Sequence, residues 1–188
     1  MTKEALRRDA TARRMAMPEG EYVQRCHTIC ELFFAGIDLS FVQTVHTYLP
    51  MPGRREADVW PIIDRIRREF PHVRLAVPRV RGEELENFLF EGLHQLKPST
   101  LGIPEPTSGV PVAPEKIDAV ITPLLLADRR GNRLGYGKGF YDRFLSCCRP
   151  DCLKIGISLL DPVDELPADH HDIRLDRLIT SSEVLAFG

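Results

Sequence analysis

The sequence has no long apolar run, no marked excess of charge of either sign and no cysteine pair at metal-ligand spacing. Each absence removes a class of function. The longest apolar stretch, around 120–127, is interrupted by Thr122 and Pro123, well short of the roughly 20 residues a membrane-spanning helix needs. A formal net charge of −2, from 25 Lys and Arg against 27 Asp and Glu, lacks the basic excess of a nucleic-acid or membrane-surface binder. Any anion site must therefore be local. The five cysteines, Cys26, Cys30, Cys147, Cys148 and Cys152, include no Cys-x-x-Cys pair. A structural zinc site is thus not expected, although His27 adjoins the first two. Reduced thiols on helices fit a reducing compartment. The first residues lack the apolar core of a signal peptide, and a cytoplasmic location is the expectation. Neither a Walker A loop nor a Gly-x-Gly-x-x-Gly fingerprint occurs.

What is present is a chain of 188 residues with 43% hydrophobic and 28% charged content, suited to one soluble domain over residues 1–188. Its most distinctive stretch runs from Gly131 to Phe144. There Gly135, Gly137 and Gly139 alternate around Lys138, and an amphipathic segment follows at once. Glycines tolerate positive φ and let backbone amides approach an anion. A helix opening at Gly139 or Phe140 would aim its free N–H groups and positive dipole end at the same place. Arg133 and Lys138 add charge, Asp142 sits at the helix start, and Tyr136, Phe140 and Tyr141 add aromatic faces. The loop points to phosphate.

The flanking pattern is that of an α/β protein. Residues 3–15 contain no Gly or Pro and predict a helix on which Lys3, Arg7 and Arg14 share one face. Spacing alone gives that face as solvated. Pro18 opens a second helix over about 19–35, with Tyr22, Cys26, Ile29, Cys30 and Phe33 inward. Residues 42–49 predict a strand, 57–70 a helix with Val59, Ile62, Ile63 and Ile66 inward, and 73–77 a buried strand ended by Pro78. Strand, helix, strand at this spacing predicts a parallel βαβ unit. Residues 85–93 fit a helix or a strand by periodicity. The five prolines of 98–114 make a long loop, which in a compact domain points to function. Residues 119–126 form the most apolar strand and lead into the glycine loop. This is the order in which α/β folds place ligands at the carboxyl ends of strands. Further strands are expected at 154–158 and 178–181. In the polar stretch 167–172, His170, His171 and Asp172 read as a solvated loop, with Asp172 as a hard carboxylate suited to magnesium.

Four pieces together resemble the 5-formyltetrahydrofolate cyclo-ligase (5,10-methenyltetrahydrofolate synthetase) family. They are Lys3-Glu-Ala-Leu-Arg7, Ile103-Pro-Glu-Pro106, the signature Asn132-Arg-Leu-Gly-Tyr-Gly-Lys-Gly-Phe-Tyr-Asp-Arg143, and His171-Asp172. They occur in the family's order across almost the whole chain. The resemblance implies a three-layer α/β/α sandwich with a largely parallel sheet, of the kind shared with ribose-5-phosphate isomerase and CoA transferases. Within that fold it makes residues 85–90 a strand.

The implied reaction is ATP-dependent closure of 5-formyltetrahydrofolate to 5,10-methenyltetrahydrofolate, with release of ADP and phosphate. The formyl oxygen takes the γ-phosphoryl, nitrogen 10 attacks the activated carbon, and phosphate leaves. Carried over residue by residue, the ATP site comprises Lys3, Arg7, Arg133, Leu134, Gly135, Tyr136, Gly137, Lys138, Gly139, Phe140 and Tyr141. Arg133 and Lys138 stabilise the transferring phosphoryl. Asp142 and Asp172 hold Mg2+, and Leu49, Glu56, Tyr136 and Phe140 contact the folate. Two features depart from the family pattern: the 50–55 loop is about two residues longer, and Val59 stands where threonine is typical. The resemblance implies a small-molecule folate substrate; the near-neutral charge gives the expectation of no nucleic-acid or membrane partner, and a monomer is expected. Two alternatives use the same loop: an ATP-dependent kinase or ligase on another substrate, and a catalytically inactive nucleotide- or RNA-binding relative.

Overall fold

The computed structural model describes residues 1–100 and 102–188. The chain runs α1 (Lys3–Met15), α2 (Glu19–Gly36), β1 (Thr44–Thr47), α3 (Trp60–Glu69), β2 (Arg74–Arg81), β3 (Glu84–Leu89), β4 (Leu96–Pro98), β5 (Pro104–Pro106), β6 (Ala119–Pro123), β7 (Leu126–Ala127), β8 (Arg133–Leu134), α4 (Phe140–Cys147), β9 (Leu153–Ile157), β10 (Arg177–Ile179) and β11 (Val184–Ala186). Seven strands form one sheet in the order β11-β10-β9-β6-β1-β2-β3. Its inner pairs, β2/β1, β1/β6, β6/β9 and β9/β10, are parallel, while the edge strands β3 and β11 are antiparallel to their neighbours. Two short antiparallel hairpins, β4/β5 and β7/β8, stand apart from it.

The layers follow from the period of two along a strand. On β6, Ala119 and Ile121 join a core with Ala10 of α1, Ile29 and Phe33 of α2, and Ile62, Ile63 and Ile66 of α3. Val120, between them, points the other way and packs with Phe144 and Leu145 of α4, Ile117 and Cys152. Helices therefore cover both faces, as expected for a three-layer sandwich. The apolar stripe of α3 is completely buried at Ile62 and Ile66. At about 25 cal/mol per Å² such burial is the main force holding the layers together. Helix starts are marked by polar side chains. The Thr2 hydroxyl accepts from Ala5 N–H, and Asp58 Oδ1 accepts from Trp60 N–H. Asp58 delays the start of α3 to Trp60, three residues after the expected one.

Pro78 does not end its strand. β2 continues to Arg81 as a two-stranded ribbon with β3, Pro78 lying opposite Asn87. The reason is pairing phase. Phe90 N–H bonds Leu75 O, so Val77 and Arg79 face β3, and Pro78 faces the other edge, past the last β1 pair at Ala76. A proline is tolerated where no ladder donor is required. The neighbouring even position, Val80, sends its N–H to Glu105 Oε1, 3.2 Å away. Residues 84–89 are strand rather than helix, and Phe90 lies just past its end. All five cysteines are free thiols. Among the described residues no helix is long and apolar enough to cross a membrane.

Candidate active site

A cavity of about 560 Å³ opens beyond the carboxyl ends of β1, β2 and β6, where Tyr48, Leu49, Pro78, Val80 and Pro123 line it. Strand ends supply this position because the sheet's ladder stops there while the loops turn away. The far wall is the glycine loop from Arg133 to Asp142. The rim carries Lys3 and Arg7 of α1, Arg54, Ile103 and Glu105, and the segment with Asp169, His171 and Asp172.

The loop is built for close approach. Gly137 has φ 88°, and a Cβ there would stand 3.1 Å from Arg7 Cζ. Gly139 has φ 68° and caps α4, whose first backbone bond runs from Arg143 N–H to Gly139 O. The preceding amides of α4 are therefore free of helix bonds. Lys138, between the two glycines, is exposed. Arg7 Nε donates to Gly135 O at 2.9 Å, tying α1 to the loop.

Arg133 organises the charged end. Its side chain is 5% exposed, and Nη2 donates to Asp142 Oδ1 at 2.7 Å. Nη1 donates to Ile173 O. Burial lowers its pKa and Asp142 opposes that shift, so the guanidinium stays charged. Asp142 Oδ1 also accepts Ile173 N–H at 3.0 Å, which brings Asp142 beside the Asp172 segment. Asp172 Oδ2 accepts Lys3 Nζ at 2.5 Å and Asp169 N–H at 2.8 Å; Asp169 Oδ2 takes Lys3 as well, at 2.7 Å. Burial would raise the pKa of Asp172, but the Asp169 N–H and Lys3 together hold it below the usual carboxylate range. Asp142 Oδ2 and Asp172 Oδ1 accept no hydrogen bond among the described residues, so each carboxylate keeps an oxygen for a hard cation. Asp169, His171 and Asp172 also lie close enough for their ligand atoms to converge within 4.8 Å.

The opposite end is buried and internally bonded. The Tyr136 hydroxyl donates to Glu56 Oε1 at 2.7 Å and accepts from Arg14 Nη2 at 2.6 Å. Glu56 Oε2 accepts Met51 N–H at 2.6 Å. Arg14 and Glu56 are 2% and 4% exposed. Burial, with Glu56 adjacent, drives the Tyr136 phenol far above its ordinary pKa, so it remains a donor.

All the residues that the resemblance assigns to the site line this cavity: Lys3, Arg7, Leu49, Glu56, 133–142 and Asp172. The 50–55 stretch turns tightly, with Arg54 N–H on Met51 O and Arg55 at φ 44°, and still delivers Glu56 to the wall. Val59 is a fully buried core residue. Spacing alone had given the basic face of α1 as solvated. In the structure it packs along the loop, with Lys3 on Asp172, Arg7 on Gly135 and Arg14 on Tyr136. Sequence reasoning put Arg14 on that face but gave it no role; its burial depends on Tyr136, 122 positions away. Glu105 lies within the Ile103–Pro106 piece of the resemblance but was given no role, and Asp169 had no signal beyond lying in a polar loop.

Residues 1–181 match the pattern of the 5-formyltetrahydrofolate cyclo-ligase family. The cyclo-ligase of Escherichia coli strain K12 is 34% identical over 148 residues, covering 75% of this chain and 79% of that protein. That of Mycoplasma genitalium is 40% identical over 68 residues, so the match spans 36% of this chain and 41% of the relative. In three dimensions the chain is similar to Aquifex aeolicus 5,10-methenyltetrahydrofolate synthetase, with TM-score 0.83, 26% identity, and 99% of this chain and 93% of that one covered. Pattern, relatives and fold agree, and the chain belongs to the 5-formyltetrahydrofolate cyclo-ligase family.

Proposed function

We propose that the cavity carries out the ATP-dependent closure of 5-formyltetrahydrofolate to 5,10-methenyltetrahydrofolate, with a division of labour along its length. The observation that carries this reading is the pairing of two unlike ends in one cavity: a glycine loop with Arg133, Lys138 and free amides, and a buried acceptor wall around Glu56 and Tyr136. Phosphoryl transfer needs positioning and charge neutralisation more than covalent chemistry. The amides of 137–141 and Arg7 hold the triphosphate, and Lys3 closes that end from α1. Arg133 and Lys138 hold the charge that develops on the phosphoryl as it moves to the formyl oxygen. Asp142 and Asp172 would hold Mg2+, which when bound neutralises phosphate charge. Glu56, through the second lone pairs of its oxygens, accepts N–H groups of the folate, while Leu49, Tyr136 and Phe140 cover its faces. Nitrogen 10 then attacks the activated carbon and phosphate departs.

Substrate labelled with 18O on the formyl group tests this directly. Released phosphate is expected to carry the label; unlabelled phosphate alongside methenyl product would exclude phosphorylation at the formyl oxygen.

A further inference from the structure

His46, on β1 behind the cavity, plays no part in this scheme. It is fully buried, its ring centroid 4.7 Å from that of Phe144 and 5.7 Å from that of Tyr141. Both nitrogens are engaged: Nδ1 lies 2.7 Å from Asn87 Oδ1, and Nε2 lies 3.1 Å from the Tyr141 hydroxyl. A core histidine usually satisfies itself on backbone groups. This one instead joins the buried Asn87 to a side chain that lines the cavity.

The tautomer follows from the partners. With Asn87 turned so that Oδ1 faces the ring and Nδ2 is left buried without a partner, Nδ1 carries the hydrogen and Nε2 the lone pair; the opposite amide orientation would reverse the two. The Tyr141 O–H has no other acceptor among the described residues, and it donates to Nε2. Burial pushes the pKa of His46 down to about 3, so the ring stays neutral and is no proton sink at neutral pH. With its hydrogen turned inward, the phenol can offer the cavity only lone pairs. Tyr141 lines the cavity together with Glu56, at the end assigned to folate, and Arg133, at the end assigned to the phosphoryl.

We propose that His46 is a positioning residue for ring closure: it locks the Tyr141 hydroxyl as an acceptor that takes the N–H of folate nitrogen 10 and aims that nitrogen's lone pair at the formyl carbon. The inference rests on the cyclo-ligase reading. In the step, the nitrogen 10 lone pair forms the new C–N bond. The C–O electron pair leaves with phosphate, and the proton of nitrogen 10 passes to the departing phosphate.

The 15N spectrum of the histidine-labelled protein reads the tautomer without any substrate. A neutral ring protonated at Nδ1 from about pH 5 to 9 is expected; an Nε2–H tautomer would overturn the proposal. In kinetics, His46→Phe and Tyr141→Phe are each expected to lower kcat/KM for the folate about ten-fold, the scale of one hydrogen bond. The KM for ATP should stay unchanged in His46→Phe, which does not touch the cavity, and the double variant should lose about ten-fold rather than about a hundred-fold. Multiplying losses, or an equal rise in the KM for ATP, would contradict it. Should His46→Phe fail to fold, His46→Gln decides: its side-chain carbonyl can accept the Tyr141 O–H, so activity within about three-fold of the parent is expected, and a ten-fold loss counts against the role. A parent protein that folds but makes no methenyl product sinks the cyclo-ligase reading and this role with it, while the spectrum still reports the tautomer.

Discussion

The two ends of the cavity are held in opposite ways. Around Glu56 the side chains are tied to one another and to the core: Tyr136 between Glu56 and Arg14, Glu56 on Met51 N–H, and the Tyr22 hydroxyl on the Glu56 carbonyl at 2.9 Å, with Arg14 Nε left as a buried donor without a partner. Around the glycine loop, Lys138 is exposed on backbone that only glycines adopt easily, and Lys3 is shared between two carboxylates. A buried, bonded network fixes shape, because any displaced partner leaves a further unpaired polar group. An exposed cation on a loop fixes little, but it can meet charge that appears only during reaction. The first arrangement suits recognition of a rigid heterocycle, and the second suits a moving phosphoryl group.

If that contrast is right, substitutions at the two ends should separate stability from turnover. Lys138→Ala should lower kcat about 10²- to 10³-fold, the usual cost of losing one preorganised charge at a transferring group. Its stability should stay within about 0.5 kcal/mol of the parent, as read from urea midpoints. Normal turnover would remove Lys138 from the phosphoryl. Arg14→Ala should do the reverse. It leaves Glu56 and Tyr136 buried without their cation, so a stability loss of about 3 kcal/mol is expected, with a smaller effect on kcat in the fraction that remains folded. An unchanged midpoint would mean that this end is not rigid.

Asp142→Asn should raise the magnesium concentration needed for half-maximal rate by about ten-fold, since a charged ligand becomes neutral. An unaltered titration would take Asp142 out of the metal site. The smallest effect concerns acid. Folded His46, with its pKa pushed down to about 3, cannot take up a proton that the unfolded chain binds near its ordinary pKa of about 6.5. The stability from its neutral burial is therefore complete above that value and is lost as pH falls toward the folded value. Between pH 7 and about 5 the denaturation midpoint of the parent should fall more steeply than that of His46→Gln. Parallel slopes would show that the histidine is not held neutral.

The contrast also explains what could be read from the residues alone. The helices and the glycine loop are local events: a Gly-free run, a stripe of Ile62, Ile63 and Ile66, and alternating glycines before an amphipathic segment announce themselves within a dozen positions. The loop end of the site was therefore legible, and resemblance added its partners on α1 and at Asp172. At the buried end resemblance named Leu49, Glu56 and Tyr136, but not the side chains that hold them. Arg14 meets Tyr136, and His46 meets Asn87 and Tyr141, only after the sheet is assembled, and no spacing encodes those pairings. The extension of β2 through Pro78 was missed for the same reason, since the phase of a ladder depends on which neighbour ends first. β11 was missed because three residues near the chain end carry too little pattern to stand out.

The most direct test of the account is to supply the purified, folded protein with Mg-ATP and 5-formyltetrahydrofolate and follow methenyl product by its absorbance, with ADP measured in parallel. The account predicts ATP-dependent appearance of product with one ADP per methenyltetrahydrofolate. Folded protein that yields no product, or product without ADP, would contradict it.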